Sequence, residues 1–225
     1  MEKETLEFLK KLKNNNNKPW FDAHRKEYEI AKEDMRKSVE KIIFSIVQFD
    51  KSISGQEAKK CMFRINRDVR FSKNKSPYKN NFGASISEGG KKSFSPVYYL
   101  HIQPGNSFVA GGMYMPQPPQ LNAVRQEIDY NTKEFLALLK DKNFKKYFSG
   151  LSDEDKLKNP PRGYTADNPV IEILKNKNFI VLHKLTDEKI LAKNFIQATT
   201  EICKSISPLH QFLKRAIDGI ENTSV

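Results

Sequence analysis

The side chains with the greatest chemical potential in this sequence concentrate in one basic stretch, residues 64–79. Three of the eight arginines of the chain lie within seven residues there, at Arg64, Arg67 and Arg70. Guanidinium groups stay charged at physiological pH and bind carboxylate or phosphate oxygens through two parallel N–H donors. The pattern therefore predicts an anion-binding site, although it specifies neither the anion nor a reaction. Further candidate ligand-binding residues in the stretch are Asp68, Lys75, Tyr78 and Lys79.

Asp68 is the one acid in this stretch, and two roles are open to it. Close approach of Arg67 and Arg70 would favour the ionised carboxylate and so weaken it as a base near neutral pH. A positioning role, in which Asp68 orients the two arginines, is therefore preferred over a role as general base.

Motifs for a metal or a cofactor are incomplete in this sequence. The four histidines are scattered without a pair at zinc-ligand spacing, and His101, alone on a predicted strand, is interpreted as structural. Residues 83–87 approach a nucleophile elbow but end in Ser87, where the motif requires glycine. Gly111–Gly112 is too short for a dinucleotide fingerprint. We therefore expect no metal and no cofactor, and the sequence leaves open whether the protein is an enzyme.

The composition indicates a basic globular protein. The chain of 225 residues has a formal net charge of +12, and its 15 Phe and 8 Tyr argue against disorder. Such a charge favours anionic partners, but lysines spread over solvated faces would produce the same total. Cys61 and Cys203 are far apart, and no apolar run reaches the length of a membrane-spanning helix. The expected location is cytoplasmic, with no membrane partner.

Hydrophobic periodicity predicts the elements that position the basic stretch. Apolar residues keep helical spacing over residues 6–12 and again from Pro19 to about residue 50, which predicts a short helix followed by a long one. Alternation from Cys61 to Ile65 predicts a strand that leads directly into the basic stretch. Short turns between strands favour an antiparallel meander. The three strands predicted to follow are 80–88, 97–103 and 107–115.

The second half of the sequence predicts helices and one last strand, Phe179–Leu185. Pro208 is placed at the first turn of a final helix, where proline is well tolerated. The other predicted helices cover 121–128, 132–139, 143–148, a short turn after Pro169, and 189–206. These elements predict a single α+β domain over residues 1–225. Its antiparallel four- to five-stranded sheet is packed by a long N-terminal helix and C-terminal helices.

The basic stretch also carries a family resemblance. Its pattern R-x-x-R-D-x-R-F-x-x-N-K-x-x-Y, from Arg64 to Tyr78, resembles the signature of an uncharacterised, mainly bacterial family catalogued as domain of unknown function 2461. The resemblance implies one domain of this length, and it implies no activity, cofactor or catalytic residue. Further matches along the chain are Trp20–Phe21, Tyr98–Tyr99, Gly111–Gly112, Arg125 and Asp167–Asn168–Pro169.

Three interpretations of the basic stretch are open. In the first, its cations hold a phosphorylated or carboxylated small molecule. In the second, it binds nucleic acid and uses Phe71 and Tyr78 to stack bases. In the third, its arginines pair with acids of the chain and bind no ligand. A concave pocket favours the small anion, and an open basic stripe favours the polymer. The residues assigned to the small-molecule site are Arg64, Arg67, Asp68, Arg70, Lys75, Tyr78, Lys79, Arg125 and Arg162.

Overall fold

The computed structural model of the protein describes residues 1–91 and 93–221. Helices open the chain, three strands follow, and a helical segment separates them from the fourth strand and the C-terminal helix. The strands are β1 (Phe82–Ile86), β2 (Val97–Ile102), β3 (Ser107–Met113) and β4 (Phe179–Leu185). The helices are α1 (Lys3–Asn14), α2 (Lys18–Ala23), α3 (Arg25–Ile46), α4 (Ala58–Cys61), α5 (Pro118–Tyr130), α6 (Thr132–Lys140), α7 (Lys142–Tyr147), α8 (Ile171–Leu174), α9 (Asp187–Leu191) and α10 (Phe195–Glu221).

The strands form one antiparallel sheet in the order β1–β2–β3–β4. This sheet confirms the predicted α+β fold, and α3 and α10 are the long helices near the two ends of the chain. Successive side chains of a strand point to opposite sides of the sheet. On β2, Tyr98 and Leu100 therefore lie on one face, whereas Tyr99 and His101 lie on the other.

The face that carries Tyr98 and Leu100 is the core face, where α3 and α10 pack against the sheet. Buried apolar residues of α3 recur every three or four positions, which is the spacing of one helix face. Full burial of a Val, Ile or Met side chain stabilises the folded state by roughly 1.5–3 kcal/mol. The residues of α3 that illustrate this spacing are Met35, Val39, Ile42 and Ile46.

The opposite face, which we call the open face, keeps partial solvent exposure. Along β2, Val97, Tyr99 and His101 are half-buried, whereas the residues between them are buried. The strand register places Phe108 of β3 beside His101, and Ala110 beside Tyr99. The open face thus presents a group of aromatic side chains that the helices of the core do not enclose completely.

Two adjacent glycines allow α10 to approach β3 closely. A Cβ atom on Gly111 would lie 2.6 Å from Cγ2 of Ile206, so a side chain there would push the helix away. Gly112 has a φ of +118°, and a Cβ atom would lie 2.0 Å from the carbonyl oxygen of Phe179. Glycine tolerates both the close approach and the positive φ. This contact brings His210 of α10 against the sheet.

His210 belongs to a buried polar network on the core face. The backbone N–H of Gly112 donates to Nε2 of His210 at 2.9 Å. The rings of Tyr98 and His210 are 4.1 Å apart, and the hydroxyl of Tyr98 donates to Oδ2 of Asp50 at 2.9 Å. Burial lowers the pKa of His210 to about 3, so the ring is neutral at physiological pH. Each of these polar groups has a partner, which indicates a structural role for the network.

The predicted continuous strand from Cys61 to Ile65 is wrong. Cys61 ends α4, and the residues after it form two isolated bridges, Met62 with Ala84 and Asn66 with Tyr78. Four positions separate Met62 from Asn66, whereas six separate Tyr78 from Ala84. The two segments therefore lose register between the bridges, and a regular ladder cannot form.

Two helix predictions are also corrected. The long helix predicted from Pro19 to about residue 50 is interrupted at His24, where φ is −106° and ψ is 23°, and it ends at Ile46. Pro208 lies inside α10 instead of opening a separate helix. A proline removes one backbone hydrogen bond, but Ile206 and Leu209 on either side of it are fully buried. We infer that burial of this apolar face outweighs the lost hydrogen bond.

We expect acid to destabilise the fold through His210. An unfolded histidine, with a pKa of about 6.5, binds a proton below that pH, whereas folded His210 does not until about pH 3. The stabilisation is complete above pH 6.5 and falls by about 1.4 kcal/mol per pH unit below it. Urea unfolding of the wild type and His210→Gln from pH 7.5 to 4.5 measures this effect. The difference in unfolding free energy should shrink as the pH falls, and a constant difference would contradict the assignment.

Candidate functional site

The basic stretch forms an irregular hairpin over residues 62–84, which we call the basic arm. Backbone hydrogen bonds hold its two sides together, including one from Arg67 N to Pro77 O at 2.9 Å and one from Lys79 N to Ile65 O at 2.8 Å. The loss of register between the two bridges leaves extra length around Asn80 and Asn81, where the backbone bends. Residues 68–76 form the tip of the arm.

Arg67 ties the tip of the arm to its base. Its Nη1 donates to the carbonyl oxygen of Ser76 at 3.0 Å, and its Nη2 donates to Oγ of Ser72 at 3.2 Å. These bonds use two of the five guanidinium N–H donors. Lys75 reinforces the tip, because its Nζ donates to the carbonyl oxygens of Val69 and Arg70 at 3.1 and 3.3 Å. Arg67 is thus held in place while three of its donors remain for a ligand.

Asp68 pairs with Arg70 and not with Arg67. Nη2 and Nε of Arg70 donate to the two carboxylate oxygens at 2.7 and 3.0 Å. Hydrogen bonds from Arg70 hold the pKa of Asp68 below its usual value, and the charge of Arg64 adds a smaller effect. An ionised, solvent-exposed carboxylate is a weak base near neutral pH. The geometry therefore supports a positioning role for Asp68, toward Arg70 alone.

A polar pocket of about 330 Å³, which we call the arm pocket, lies between the basic arm and the end of α1. Lys13 enters it from α1, and Arg67 and Lys79 enter it from the arm. The structure therefore brings one of the three clustered arginines into the pocket, while Arg64 and Arg70 lie outside its lining. The complete lining is Lys13, Asn16, Arg67, Asn74, Ser76, Tyr78, Lys79, Asn80 and Asn81.

Lys79 lies where the arm pocket meets a second group of cations. It is half-buried, and burial lowers its pKa, with further lowering by the charges of Arg64 and Lys91. The ammonium groups of Lys79 and Lys91 are each 5.3 Å from the centroid of the Phe63 ring. Within the described residues, the side chains of Arg64 and Lys79 make no hydrogen bond or ion pair. Two ammonium groups therefore flank one partly exposed aromatic ring, and the charge of Arg64 acts on one of them.

Tyr78 is a core residue and anchors the arm. Only 6% of its surface is exposed, and its ring stacks on Phe21 with centroids 4.0 Å apart. Its backbone N–H and C=O both bond to the side chain of Asn16, at 3.0 and 2.9 Å. The Tyr78 ring is therefore unavailable for stacking on a ligand. Phe71, in contrast, is 97% exposed at the tip of the arm.

Arg125 and Arg162 do not line the arm pocket. The buried guanidinium of Arg125 donates from Nε to the carbonyl oxygen of Leu174 at 2.8 Å and from Nη2 to that of Asn176 at 3.1 Å. It fastens α5 to the end of α8, next to β4. Arg162 is exposed in the loop before α8. Their placement gives them no contact with the clustered arginines.

His101 lies in the aromatic group of the open face. Its ring stacks on Phe108 with centroids 4.6 Å apart and an interplanar angle of 9°. The hydroxyl of Tyr99 lies 3.2 Å from Nδ1, and Oε1 of Gln103 lies 3.0 Å from Nε2. Burial lowers the pKa of His101, so the ring is neutral at physiological pH. Both nitrogens have partners, in agreement with the structural interpretation of this residue.

Several lining residues of the arm pocket escaped the sequence analysis. Lys13 and Asn16 lie more than 45 positions before the arm, in a segment that the sequence marks only as the end of a helix. Asn80 and Asn81 fall in a stretch that was predicted as regular strand. The sequence does contain a sign that Asn80 and Asn81 lie outside the strand, because two consecutive polar residues interrupt the alternation just before Phe82.

Comparison with known families identifies the chain. Residues 4–212 match the family described as "Conserved hypothetical protein (DUF2461)". The chain belongs to this family. No curated protein and no solved structure matches the chain.

The DUF2461 description names no activity, so the roles of individual residues rest on their geometry. In the part of the chain that the structure describes, no group of three or more His, Cys, Asp or Glu side chains is arranged to hold a metal ion. No helix among the same residues is long and apolar enough to cross a membrane. Among the described residues, the arm pocket and the open face are two surfaces whose side chains suit a ligand.

Arg125 is expected to stabilise the fold and to contribute nothing to anion binding. Arg125→Met removes both bonds to buried carbonyl oxygens, and an unsatisfied buried acceptor costs about 1–3 kcal/mol. Urea unfolding should show a loss of this size, whereas the exposed control Arg162→Met should match the wild type. Equal stabilities of the two variants would contradict the structural role of Arg125.

Proposed function

We propose that this DUF2461 protein binds a small phosphate- or carboxylate-bearing ligand in the arm pocket. The observation that carries the proposal is the charge of the lining, in which Lys13, Arg67 and Lys79 converge without an acid. Within the described residues, none of these three cations forms an ion pair. A bound anion would supply the missing counter-charge.

Neutral donors complement the cations of the arm pocket. Asn74 accepts from the backbone N–H of Ser76 through Oδ1, which leaves its NH₂ group free. The side chains of Asn80 and Asn81 make no hydrogen bond within the described part of the chain. Together with the unused N–H groups of Arg67, these amides provide donors around the pocket. Phosphate and carboxylate oxygens are the acceptors that such donors suit.

The lining favours binding over catalysis. The residues around the arm pocket include no carboxylate, histidine or cysteine, the side chains that most often transfer protons or attack substrates. The ionisable groups in the lining are two lysines, one arginine and the buried Tyr78. We therefore propose ligand recognition as the role of this pocket. We further propose a cytoplasmic location, which the free, buried thiols of Cys61 and Cys203 support.

Substitution of the unpaired lysines tests the proposal. Inorganic phosphate and a nucleoside monophosphate should bind the wild type and raise its melting temperature as concentration increases. Lys13→Gln and Lys79→Gln should each weaken binding about tenfold, because removing one close cation from an anion costs on the order of 1–4 kcal/mol. Isothermal titration calorimetry at low salt measures the affinities.

Two controls separate the pocket from general charge effects. Lys145→Gln makes the same charge change on α7, which packs near the β4 side of the sheet. Arg70→Gln removes a cation of the arm that does not line the pocket. Both controls should bind like the wild type. Equal weakening by all four substitutions, or no binding of either anion by the wild type, would refute the proposal.

A further inference from the structure

The open face carries a connected row of aromatic side chains. Phe63, at the base of the arm, contacts Tyr99 with ring centroids 6.3 Å apart. Tyr99 is 5.8 Å from Phe108, which stacks on His101. The row thus crosses from the edge of β1 to β3, with Phe63 40% exposed. We call these four residues the aromatic row.

Gly83 makes this row continuous. A Cβ atom at Gly83 would lie 2.7 Å from the hydroxyl of Tyr99, so the Tyr99 side chain extends over β1 at a position without a side chain. The backbone N–H of Phe63 donates to the carbonyl oxygen of Gly83 at 2.9 Å, which places Phe63 beside the same residue. A Cβ atom at position 83 would therefore force the Tyr99 hydroxyl to shift. Glycine at this position leaves room for the Tyr99 ring beside Phe63.

Cations surround the exposed end of the aromatic row. Lys79 and Lys91 flank the Phe63 ring, and the charge of Arg64 acts on Lys79. Lys184 is exposed on β4 directly opposite Phe108 in the register. A half-exposed aromatic row bordered by cations complements a ligand that carries both flat rings and negative charges. Purely apolar partners would leave these cations without a counter-charge.

We propose that the open face binds single-stranded nucleic acid, with bases against the aromatic row and phosphates on Arg64, Lys79 and Lys91. Stacking on protein aromatic rings needs unpaired bases, because a duplex buries their faces. Lys79 would exchange a weak cation–π contact for phosphate oxygens as a base approaches the ring. The Nζ of Lys91 also donates to the carbonyl oxygen of Met62 at 2.6 Å, which leaves two of its three N–H donors for a phosphate. This site is separate from the arm pocket and shares only Lys79 with it. It also differs from the site expected from the sequence, in which Phe71 and Tyr78 stack the bases, because Tyr78 is buried in the core.

The test measures binding of fluorescein-labelled oligo-U and oligo-dT of roughly 12 nucleotides, a length within the range of known single-strand sites. Phe63→Leu and Phe108→Leu keep apolar volume but remove the aromatic ring, and each should weaken binding about fivefold or more. Phe44→Leu is the matched control, because Phe44 is 73% exposed on α3, away from the open face. Phe71→Leu tests the tip of the arm. Both should bind like the wild type.

Salt dependence tests the phosphate contacts. Three cations on a single strand predict a log–log slope of affinity against salt of about −2, and Arg64→Gln should reduce its magnitude by about 0.7. Arg36→Gln, on α3, is the control for the same charge change and should leave the slope unchanged. Phosphate binding at the arm pocket should survive in Phe63→Leu and Arg64→Gln, because neither residue lines that pocket. The two proposals can therefore fail separately.

Four outcomes would overturn the inference. The first two are no binding of the single-stranded oligonucleotides at low salt and tighter binding of a duplex. The other two are equal oligonucleotide affinities of Phe63→Leu and Phe44→Leu, and a loss of affinity that occurs only in Phe71→Leu. Sedimentation adds one more decisive result. A dimer of the wild type that Phe63→Leu dissociates would assign the open face to a second copy of the chain.

Discussion

The stacking of Tyr78 on Phe21 determines where the basic arm meets the N-terminal helices. The ring of Tyr78 is buried between hydrophobic residues, and Asn16 satisfies both its backbone N–H and its C=O. Residues on either side of such an anchor have little freedom to move away. Lys79 follows Tyr78 directly, and Lys13, in the last turn of α1, lies three positions before Asn16. The arm pocket therefore exists because a core contact joins two segments that are distant in sequence.

Hydrophobic periodicity predicted the parts of the fold in which one face is buried and regular. β4 was predicted with its observed bounds, and the helical segments between β3 and β4 were found within a few residues. The wrong predictions have local causes that hydrophobic periodicity does not reveal. Alternation around Phe63 is strand-like, but the extra residues near Asn80 break the ladder. Pro208 signals a helix start, yet the buried residues beside it continue α10.

The candidate site was only partly predictable, because the sequence does not reveal which contacts each side chain makes with other elements. Clustered arginines are visible in the sequence, but their spacing on an irregular arm does not tell which of them face inward. Arg67 points to the tip and the pocket, whereas Arg70 turns outward to Asp68. The buried roles of Tyr78 and Arg125 depend on partners from other elements, Phe21 and the end of α8. Residue type alone cannot distinguish a ligand contact from such a packing role.

The distribution of ion pairs separates the basic arm from the rest of the basic surface. On the helices, cations pair with acids three or four positions away, as Arg36 does with Glu33 and Glu40. Such pairs explain much of the charged surface as solvated helix faces. Around Phe63 and the arm pocket, the cations instead lie near one another. Burial lowers the pKa of Lys79, and the charges of Arg64 and Lys91 lower it further. A folded chain keeps an arrangement of this kind against its own electrostatic cost, which is characteristic of sites that bind an opposite charge.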